Sequence, residues 1–252
     1  MGKDLPRENS TSRADGPFSA PPQVFFVMQE VPCPYLANRF ERKLITELQG
    51  PGAKRVYDSL SRAGFRRSHH FAYRPACQDC QACVPVRIDV ERFQPGRNLR
   101  RILNLNADLR VSEERSVATL EQYELFDAYL TSRHGDGEMA DMDFENYQAM
   151  VDDTALQSSL IELRDPQGTL VAACLTDWLI DGPSAVYSFF DTAQSRRSLG
   201  SYMILWLVEA ARARGLPYVY LGYWVEGADK MDYKRRFRPL QGLQAGQWRE
   251  VV

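Results

Sequence analysis

Three apolar runs of strand length, separated by tight turns, constrain the fold of this chain more than any other feature. The runs occupy residues 159–163, 170–179 and 185–190. The turns between them lie at 165–168 (Asp-Pro-Gln-Gly) and 181–183 (Asp-Gly-Pro), and such clusters are typical of hairpin connections. The sequence therefore predicts three consecutive antiparallel strands.

An apolar helix and a buried strand follow these runs. Residues 201–214 are apolar almost all round, as in a buried helix, and Gly215 and Pro217 mark its end. The three antiparallel strands form a meander. Residues 218–224 are predicted to form a strand parallel to the last strand of this meander. This order is similar to the core of the N-acetyltransferase (GNAT) fold, in which the helix N-terminus points at the phosphates of an acyl donor.

The loop before that helix indicates which acyl donor to expect. In GNAT proteins it usually reads Arg/Gln-x-x-Gly-x-Gly/Ala, and here residues 197–202 read Arg-Ser-Leu-Gly-Ser-Tyr. Arg197 and Gly200 fit this pattern, whereas Tyr202 replaces the small residue that permits close approach of the backbone. We therefore expect a donor other than acetyl-CoA at this loop.

The rest of the chain is predicted to contain both helices and strands. Helices are expected at residues 38–48, 52–64, 98–109, 120–131 and 144–150, and strands at 23–28, 65–73 and 84–90. The chain is therefore predicted to be α+β, with a cysteine-bearing N-terminal α+β domain at 23–110 and a GNAT-like C-terminal domain at 111–252. Residues 1–22 are rich in Ser, Pro and charge, and a disordered tail is predicted there.

Composition favours a cytoplasmic protein without a membrane partner. Hydrophobic residues make up 44% and charged residues 25%, which excludes collagen-like and wholly disordered classes. No run approaches the roughly 18–20 apolar residues of a transmembrane helix. Residues 1–20 are polar where a signal peptide would carry its apolar region.

Charge is segregated into blocks along the chain. Residues 54–110 carry a net charge of +7, residues 111–165 carry −11, and residues 194–240 carry +5. Aromatic residues interleave with both basic blocks, and arginine beside aromatic rings suits a phosphate backbone and unstacked bases. The alternative is that the acidic and basic blocks pair with each other in the fold.

The cysteines suggest a metal site. Cys77, Cys80 and Cys83 follow a Cys-x-x-Cys-x-x-Cys pattern, and Cys33 is a candidate fourth ligand. An iron–sulfur cluster and a zinc ion both suit four thiolates, and three reduced thiols in a loop are the alternative. Cys174 lies in an apolar run and is expected in the core.

Seven motifs in collinear order resemble the aminoacyl-tRNA–protein transferases, and more narrowly the bacterial aspartate/glutamate leucyltransferases related to eukaryotic arginyltransferases. They cover the chain from Cys33 to Leu240 and read Cys33-Pro34-Tyr35-Leu36, Gly64-Phe65-Arg66-Arg67-Ser68, Tyr73-Arg74-Pro75-x-Cys77, Cys80-x-x-Cys83-x-Pro85-x-Arg87, Ser198-Leu199-Gly200-Ser201-Tyr202, Tyr220-Leu221-Gly222-Tyr223-Trp224 and Met231-x-Tyr233-Lys234-x-x-Phe237. The resemblance implies transfer of an amino acid from charged tRNA to proteins that begin with Asp or Glu, which marks them for N-degron proteolysis.

Two positions depart from the family pattern. Eukaryotic relatives have a second cysteine where this chain has Leu36, which leaves the metal question open. The family usually has glycine where this chain has His69, a change expected to alter a turn.

The implied reaction is aminolysis of an aminoacyl ester by the acceptor's α-amine, which needs positioning rather than a cofactor. An acidic acceptor residue requires a cation, and a guanidinium binds a carboxylate bidentately. Arg87 is expected in this role first, and then Arg66 or Arg67. The same arginines equally suit tRNA phosphate or a structural role.

The remaining assignments complete the expected site. Asp177 is expected to hold the acceptor's ammonium, or else to be a surface residue near a strand end. Tyr233 is expected to donate a hydrogen bond to the leaving 3′-hydroxyl, and Tyr35 to line the acceptor site. The residues expected to bind the aminoacyl-tRNA are Arg197, Gly200, Tyr187, Phe189, Tyr220, Tyr223, Lys234 and Arg235, of which the aromatic ones equally suit core packing and the basic ones a solvated face.

Three alternatives remain at this level. Arginyl transfer from Arg-tRNA to the same acceptors is the nearest, because the sequence does not show which side chains line the aminoacyl pocket. A CoA-dependent N-acetyltransferase and a non-catalytic RNA-binding module are more distant, and Tyr202 argues against the former.

Overall fold

The computed structural model describes residues 23–133, 139 and 141–251, so the tail predicted at 1–22 lies outside the described residues. The strands are β1 (Phe26–Val27), β2 (Val31–Pro32), β3 (Phe40–Glu41), β4 (Lys43–Glu47), β5 (Arg66–Ser68), β6 (Phe71–Pro75), β7 (Val84–Asp89), β8 (Arg110–Arg115), β9 (Ser158–Arg164), β10 (Leu170–Leu179), β11 (Gly182–Phe190), β12 (Tyr218–Trp224), β13 (Leu240–Gln244) and β14 (Gln247–Glu250). The helices are α1 (Ala53–Arg62), α2 (Arg97–Leu105), α3 (Leu120–Arg133), α4 (Phe144–Asp152) and α5 (Leu199–Ala213), with 3₁₀ segments at Thr192–Arg197 and Asp229–Arg236.

An eight-stranded sheet forms the centre of the molecule, in the order β14-β13-β7-β12-β11-β10-β9-β8. Strands β8 to β11 are antiparallel neighbours, and α5 connects β11 to β12, which runs parallel to it. The predicted meander, helix and parallel strand are therefore confirmed, and their arrangement is that of the GNAT core. Every residue of β10 is buried, because helices cover both faces of the sheet at this strand.

A four-stranded sheet in the order β1-β4-β6-β5 belongs to the N-terminal half. The helix predicted at residues 38–48 is wrong, because this segment forms β3 and β4. Thr46 and Leu48 are buried at alternate positions, so the segment follows the period of a strand. The single strand predicted at 65–73 is instead a hairpin of β5 and β6, which turns at His69 with a φ of +52°.

The two halves of the chain interleave within the large sheet. Strand β7 lies between β12 and β13 and is antiparallel to both. The division predicted at residue 110 would separate β7 from these partners, and it also cuts the first residue from β8. The large sheet therefore contains strands from both sides of that boundary.

Apolar clusters on both faces of the large sheet hold the layers together. Helices α2 and α5 pack on one face, and α3 and α4 pack on the other. A third cluster joins the halves, because Tyr57 of α1 and Ala72 of β6 pack against Leu179 and Tyr220 of the large sheet. None of the helices in the described ranges is long and apolar enough to cross a bilayer.

Candidate active site

Strands β11 and β12 separate near the middle of the large sheet. They share one described ladder pair, Ser184 with Tyr220. Beyond it, Gly222 has a φ of +80°, and the register of β12 against β7 shifts between Tyr220 and Tyr223. We call the space between Ala185 of β11 and Gly222 of β12 the β11–β12 crevice.

Arg66 of β5 reaches this crevice from the N-terminal half. Its Nη2 donates a hydrogen bond to the carbonyl oxygen of Ala185 at 2.8 Å. A Cβ on Gly222 would lie 3.6 Å from Arg66 Nε, so the guanidinium lies directly against the strand. Arg66 is 7% exposed, and no carboxylate among the described residues lies within ion-pair distance of it. Because a buried charge is costly without a counter-ion, the Arg66 guanidinium is able to pair with an anion.

Lys234 is a second buried cation at the same place. It is 7% exposed, and its Nζ donates a hydrogen bond to the carbonyl oxygen of Tyr223. Burial, and then repulsion from Arg66, lowers the pKa of Lys234 to about 7. In the part of the chain that the structure describes, no carboxylate is paired with it. Both Lys234 and Arg235 are predicted from the sequence to bind the aminoacyl-tRNA. In the structure Lys234 is buried, whereas Arg235 is exposed beside the Trp224 ring.

The lowered pKa of Lys234 makes stability depend on pH. An unfolded chain keeps this lysine protonated up to about pH 10.4, whereas the folded chain releases the proton above about pH 7. The unfolded state therefore binds more protons between these values, so stability rises with pH by up to about 1.4 kcal/mol per unit. Among the described residues, Arg66, the Tyr223 carbonyl oxygen and the Tyr233 ring lie around the amine.

We expect urea unfolding at pH 7.0 and 8.5 to show this gain in the wild-type protein and its loss in Lys234→Met. Lys230→Met, which changes an exposed lysine in the same 3₁₀ segment, is the control. An equal gain in all three proteins would contradict the burial of a neutral amine.

Tyrosine hydroxyls surround the two cations. Tyr223 donates its hydroxyl to the carbonyl oxygen of Gly64 at 2.8 Å, which links β12 to the turn before β5. Burial raises the pKa of Tyr223, Tyr73 and Tyr233, and the charge of Arg66 opposes the rise in each case. The pKa of Tyr233 rises to about 12, so its hydroxyl is a neutral hydrogen-bond donor at physiological pH.

Arg67 and Asp177 satisfy each other on the opposite side of β5. Arg67 Nε lies 2.7 Å from Asp177 Oδ2, and Nη2 lies 2.9 Å from Oδ1, with both side chains 1% exposed. Ser158 donates a further hydrogen bond to Asp177 Oδ1 at 2.6 Å. Burial alone would lower the pKa of Arg67, but Asp177 outweighs it and raises the pKa. This geometry assigns Arg67 and Asp177 to each other rather than to a carboxylate or an ammonium of a substrate.

Arg87, the first expected acceptor ligand, lies in an aromatic cage away from the crevice. Its guanidinium stacks on the rings of Tyr218 and Trp248, with 3.4 and 4.2 Å from Cζ to the centroids. Its Nε donates to Gln241 Oε1 at 2.9 Å, and its Nη1 donates to the hydroxyl of Tyr220 at 3.3 Å. Tyr220 is itself buried and donates to Asp181 at 2.9 Å, so neither residue faces the crevice.

We expect Arg87→Met to weaken the fold without changing acceptor choice. It removes two close cation–π contacts and two hydrogen bonds, which together stabilise the fold by about 2–4 kcal/mol. The measurements are the free energy of unfolding in urea and the ratio of kcat/KM for acceptor peptides that begin with Asp and with Asn. A lower Asp/Asn ratio of kcat/KM without a loss of stability would instead support a role of Arg87 in binding the acceptor.

A band of aromatic side chains connects the outer end of β11 with the start of α5. Tyr187 is half-buried and lies beside Tyr129 of α3, whose ring centroid is 5.0 Å from that of Phe190. Gly200, in the first turn of α5, lies under the Phe190 ring, because a Cβ there would be 3.1 Å from it. Phe189 points into the core with Phe126 and Tyr147, and it does not line the band.

Arg197, the basic residue of the donor loop, is already paired. It makes a bidentate ion pair with Asp108, at 2.8 Å for both hydrogen bonds, and about a quarter of its side chain is exposed. The carbonyl oxygen of Arg197 also accepts a hydrogen bond from Asn106 at 2.8 Å. Arg197 therefore anchors the loop to the segment that follows α2.

The four cysteines of the N-terminal half lie in one neighbourhood. Burial, and then the charges of Cys33, Cys77 and Cys80, raise the pKa of the Cys83 thiol to about 12. Among the described residues, however, no group of three or more His, Cys, Asp or Glu side chains is arranged to hold a metal ion. Metal binding at these cysteines stays a prediction.

Tyr35 and Cys174 also have roles predicted from the sequence. Tyr35 is 41% exposed as a residue, and partial burial of its hydroxyl, and then Tyr73 and Cys83, raise its pKa. Cys174 is buried in β10, as expected of a core residue.

Several residues of these arrangements have no role predicted from the sequence. Gln241 and Trp248 complete the Arg87 cage from β13 and β14, two strands that were not predicted. Tyr129 was included in a predicted helix without a role. The signal available for the crevice was Gly222 within an apolar strand, since an isolated glycine there marks a bulge or a close approach.

The fold and the crevice together define the class of the protein. A GNAT core whose central strands separate around two buried cations fits an acyltransferase. Family models described as the N terminus and the C terminus of arginine-tRNA-protein transferase match residues 31–101 and 121–244. The chain belongs to this family and is an aminoacyltransferase.

Curated relatives cover nearly the whole chain. The aspartate/glutamate leucyltransferase of Granulibacter bethesdensis is 53% identical over 92% of this chain and 86% of that protein. The leucyltransferase of Parvibaculum lavamentivorans is 54% identical over 89% of this chain and 93% of that protein. Among solved structures, L-PGS from Bacillus licheniformis has a TM-score of 0.49 and 12% identity, over 65% of this chain and 59% of that one.

Proposed function

We propose that the protein transfers leucine from Leu-tRNA to the α-amine of proteins that begin with Asp or Glu, in the cytoplasm, and so marks them for N-degron proteolysis. The observation that carries this proposal is Arg66, a buried guanidinium without a carboxylate partner among the described residues. The relatives from Granulibacter bethesdensis and Parvibaculum lavamentivorans are named aspartate/glutamate leucyltransferases, which agrees with a site for an acidic acceptor.

Arg66 suits the side-chain carboxylate of the acceptor's first residue. A guanidinium has five N–H donors, and the contact with Ala185 uses one of them. A carboxylate placed over Gly222 would receive two parallel hydrogen bonds and neutralise a charge that is otherwise unpaired. An uncharged Asn or Ala side chain leaves this charge unpaired, which is the physical basis of the selectivity.

The aromatic band suits the donor. Tyr129, Tyr187 and Phe190 present half-buried rings on which the terminal adenosine of a tRNA can stack. The exposed arginines Arg235, Arg236 and Arg238 lie beyond the crevice and suit phosphates of the acceptor stem. Burial raises the pKa of Tyr233 to about 12, so its hydroxyl keeps its proton and is the candidate donor to the leaving 3′-hydroxyl.

The charges around the crevice favour leucine over arginine as the transferred residue. An arginyl side chain would need a carboxylate, and Asp177 is already paired with Arg67. The described charged groups of the crevice itself, Arg66 and Lys234, are cations that would repel it. A leucyl side chain requires neither partner.

The test mixes the purified full-length protein with labelled Leu-tRNA or Arg-tRNA and with peptides that begin with Asp, Glu or Ala. We expect label to move from Leu-tRNA to the Asp and Glu peptides. Movement from Arg-tRNA instead would favour the arginyl alternative. No transfer from either tRNA by folded protein would overturn the proposal, and labelled acetyl-CoA in a parallel reaction would then test the N-acetyltransferase alternative.

A further inference from the structure

Lys234 carries a buried amine that none of the proposed substrate contacts uses. Its residue is as buried as Arg66, and its Nζ has one described acceptor, the Tyr223 carbonyl oxygen. A lysine that only braced β12 would gain from a carboxylate or further carbonyl oxygens, and the described residues supply none. The amine therefore has hydrogen-bonding capacity left for a group that enters the crevice.

We propose that Lys234 accepts the proton that the acceptor's α-amine loses during transfer, and that Arg66 makes this step depend on an acidic acceptor. This inference rests on the proposed function. The lysine is held by a main-chain carbonyl of the strand that lines the crevice, beside the cation assigned to the acceptor's carboxylate. An α-amine that follows a side chain bound to Arg66 is thereby brought next to Nζ.

The step balances without a further reactant. The lone pair of the α-amine forms the C–N bond to the ester carbonyl carbon, and the carbonyl π electrons move to oxygen. The nitrogen, now positively charged, gives one proton to the neutral Lys234 amine. The tetrahedral intermediate then collapses, the bond from carbon to the ribose oxygen breaks, and the lysine ammonium returns the proton to that oxygen. The products are a peptide bond and a free 3′-hydroxyl, and Lys234 is neutral again.

The ionisation of Lys234 supports this role. An α-amine has a pKa of about 7.7–8.0, and a general base works best when its own pKa is near the working pH. Burial and the charge of Arg66 bring Lys234 to about 7. An acidic acceptor cancels the charge of Arg66, which removes a cause of the lowered pKa and makes the amine a stronger proton acceptor when the correct substrate is bound.

The first test compares Lys234→Met, Lys234→Arg and the control Lys230→Met in leucine transfer to a saturating peptide that begins with Asp. We expect kcat to fall by about 100-fold or more in both Lys234 variants, with KM for the peptide changed little. Arginine keeps the charge and the donors but stays protonated, so it does not restore kcat. Restoration by arginine would assign Lys234 to charge or structure and overturn the proposal.

Two further measurements test the proposal even if Lys234→Met is less stable than the wild-type protein. Wild-type kcat should rise with pH through an inflection near the pKa of Lys234, and the inflection should lie at a higher pH with an Asp peptide than with an Asn peptide. Equal inflections would overturn the link through Arg66. Aminooxyacetate carries a carboxylate and a weakly basic nitrogen, whose positively charged adduct loses its proton to water without a base, so Lys234→Met should use it at a rate close to the wild-type rate.

The outcomes separate this proposal from the proposed function. If wild-type protein transfers no leucine, the function itself fails. If wild-type protein transfers leucine and Lys234→Met does so with a kcat within about threefold at every pH, the function stands and the role of Lys234 is overturned.

Discussion

Arg66→Met is expected to lose selection of acidic acceptors while the protein stays folded. Loss of one partner of a buried charge pair typically costs a complex about 2–5 kcal/mol, so kcat/KM for an Asp peptide should fall by about 100-fold or more. The rate with an Asn peptide should change much less, because Asn places no charge on Arg66. The ratio of kcat/KM for Asp and Asn peptides should therefore approach one.

The fold should tolerate this change because Arg66 is an unpaired buried charge in the protein alone. Its replacement by an apolar side chain of similar length removes a desolvation cost and loses one hydrogen bond to Ala185. Urea unfolding should show equal or higher stability. Arg74→Met is the matched control, since Arg74 lies on the neighbouring strand, is exposed and stacks on Phe65. An unchanged Asp/Asn ratio in folded Arg66→Met would place acceptor selection elsewhere.

Asp177→Asn is expected to have the opposite profile. It leaves the Arg67 guanidinium buried and unpaired, and breaking a buried ion pair in this way costs about 3–5 kcal/mol. The free energy of unfolding in urea measures this loss. The double variant Arg67→Met with Asp177→Leu should recover most of it, because neither residue then carries a charge.

Kinetics on the same variant separate structure from catalysis. At a temperature where Asp177→Asn is fully folded, kcat for leucine transfer should be close to the wild-type value. A large loss of kcat without a loss of stability would instead support the catalytic role that the sequence suggested for Asp177.

Arg66 and Arg67 show which properties of the candidate site can be predicted from the sequence and which cannot. The motif identified both arginines, and two neighbours on a strand must face opposite sides. The motif does not show which of the two guanidinium groups has a carboxylate partner, because the partner of Arg67 lies 110 residues later in the chain. Arg87 was ranked first for the same reason, since its cage depends on residues of β13 and β14 that local patterns did not predict.

Strongly patterned elements were predictable, and those determined by distant pairing were not. The meander, α5 and β12 follow from apolar runs bounded by Gly and Pro, which decide local structure. Strand β4 was predicted as a helix because its apolar residues also fit helical spacing, and pairing with β1 and β6 decides the outcome. The crevice lies beyond Ser184 and Tyr220, the one described ladder pair of β11 and β12. Local sequence patterns do not predict where the pairing of these two strands ends.

The position of β7 between β12 and β13 has a consequence for biosynthesis. The ribosome produces β7 long before either neighbour, so its backbone hydrogen bonds to them can form only after the last third of the chain has emerged. The central sheet therefore completes late, and Arg66, carried by the early half, meets its crevice at the same moment. A truncated nascent chain would thus lack an assembled acceptor site, which couples the appearance of activity to completion of translation.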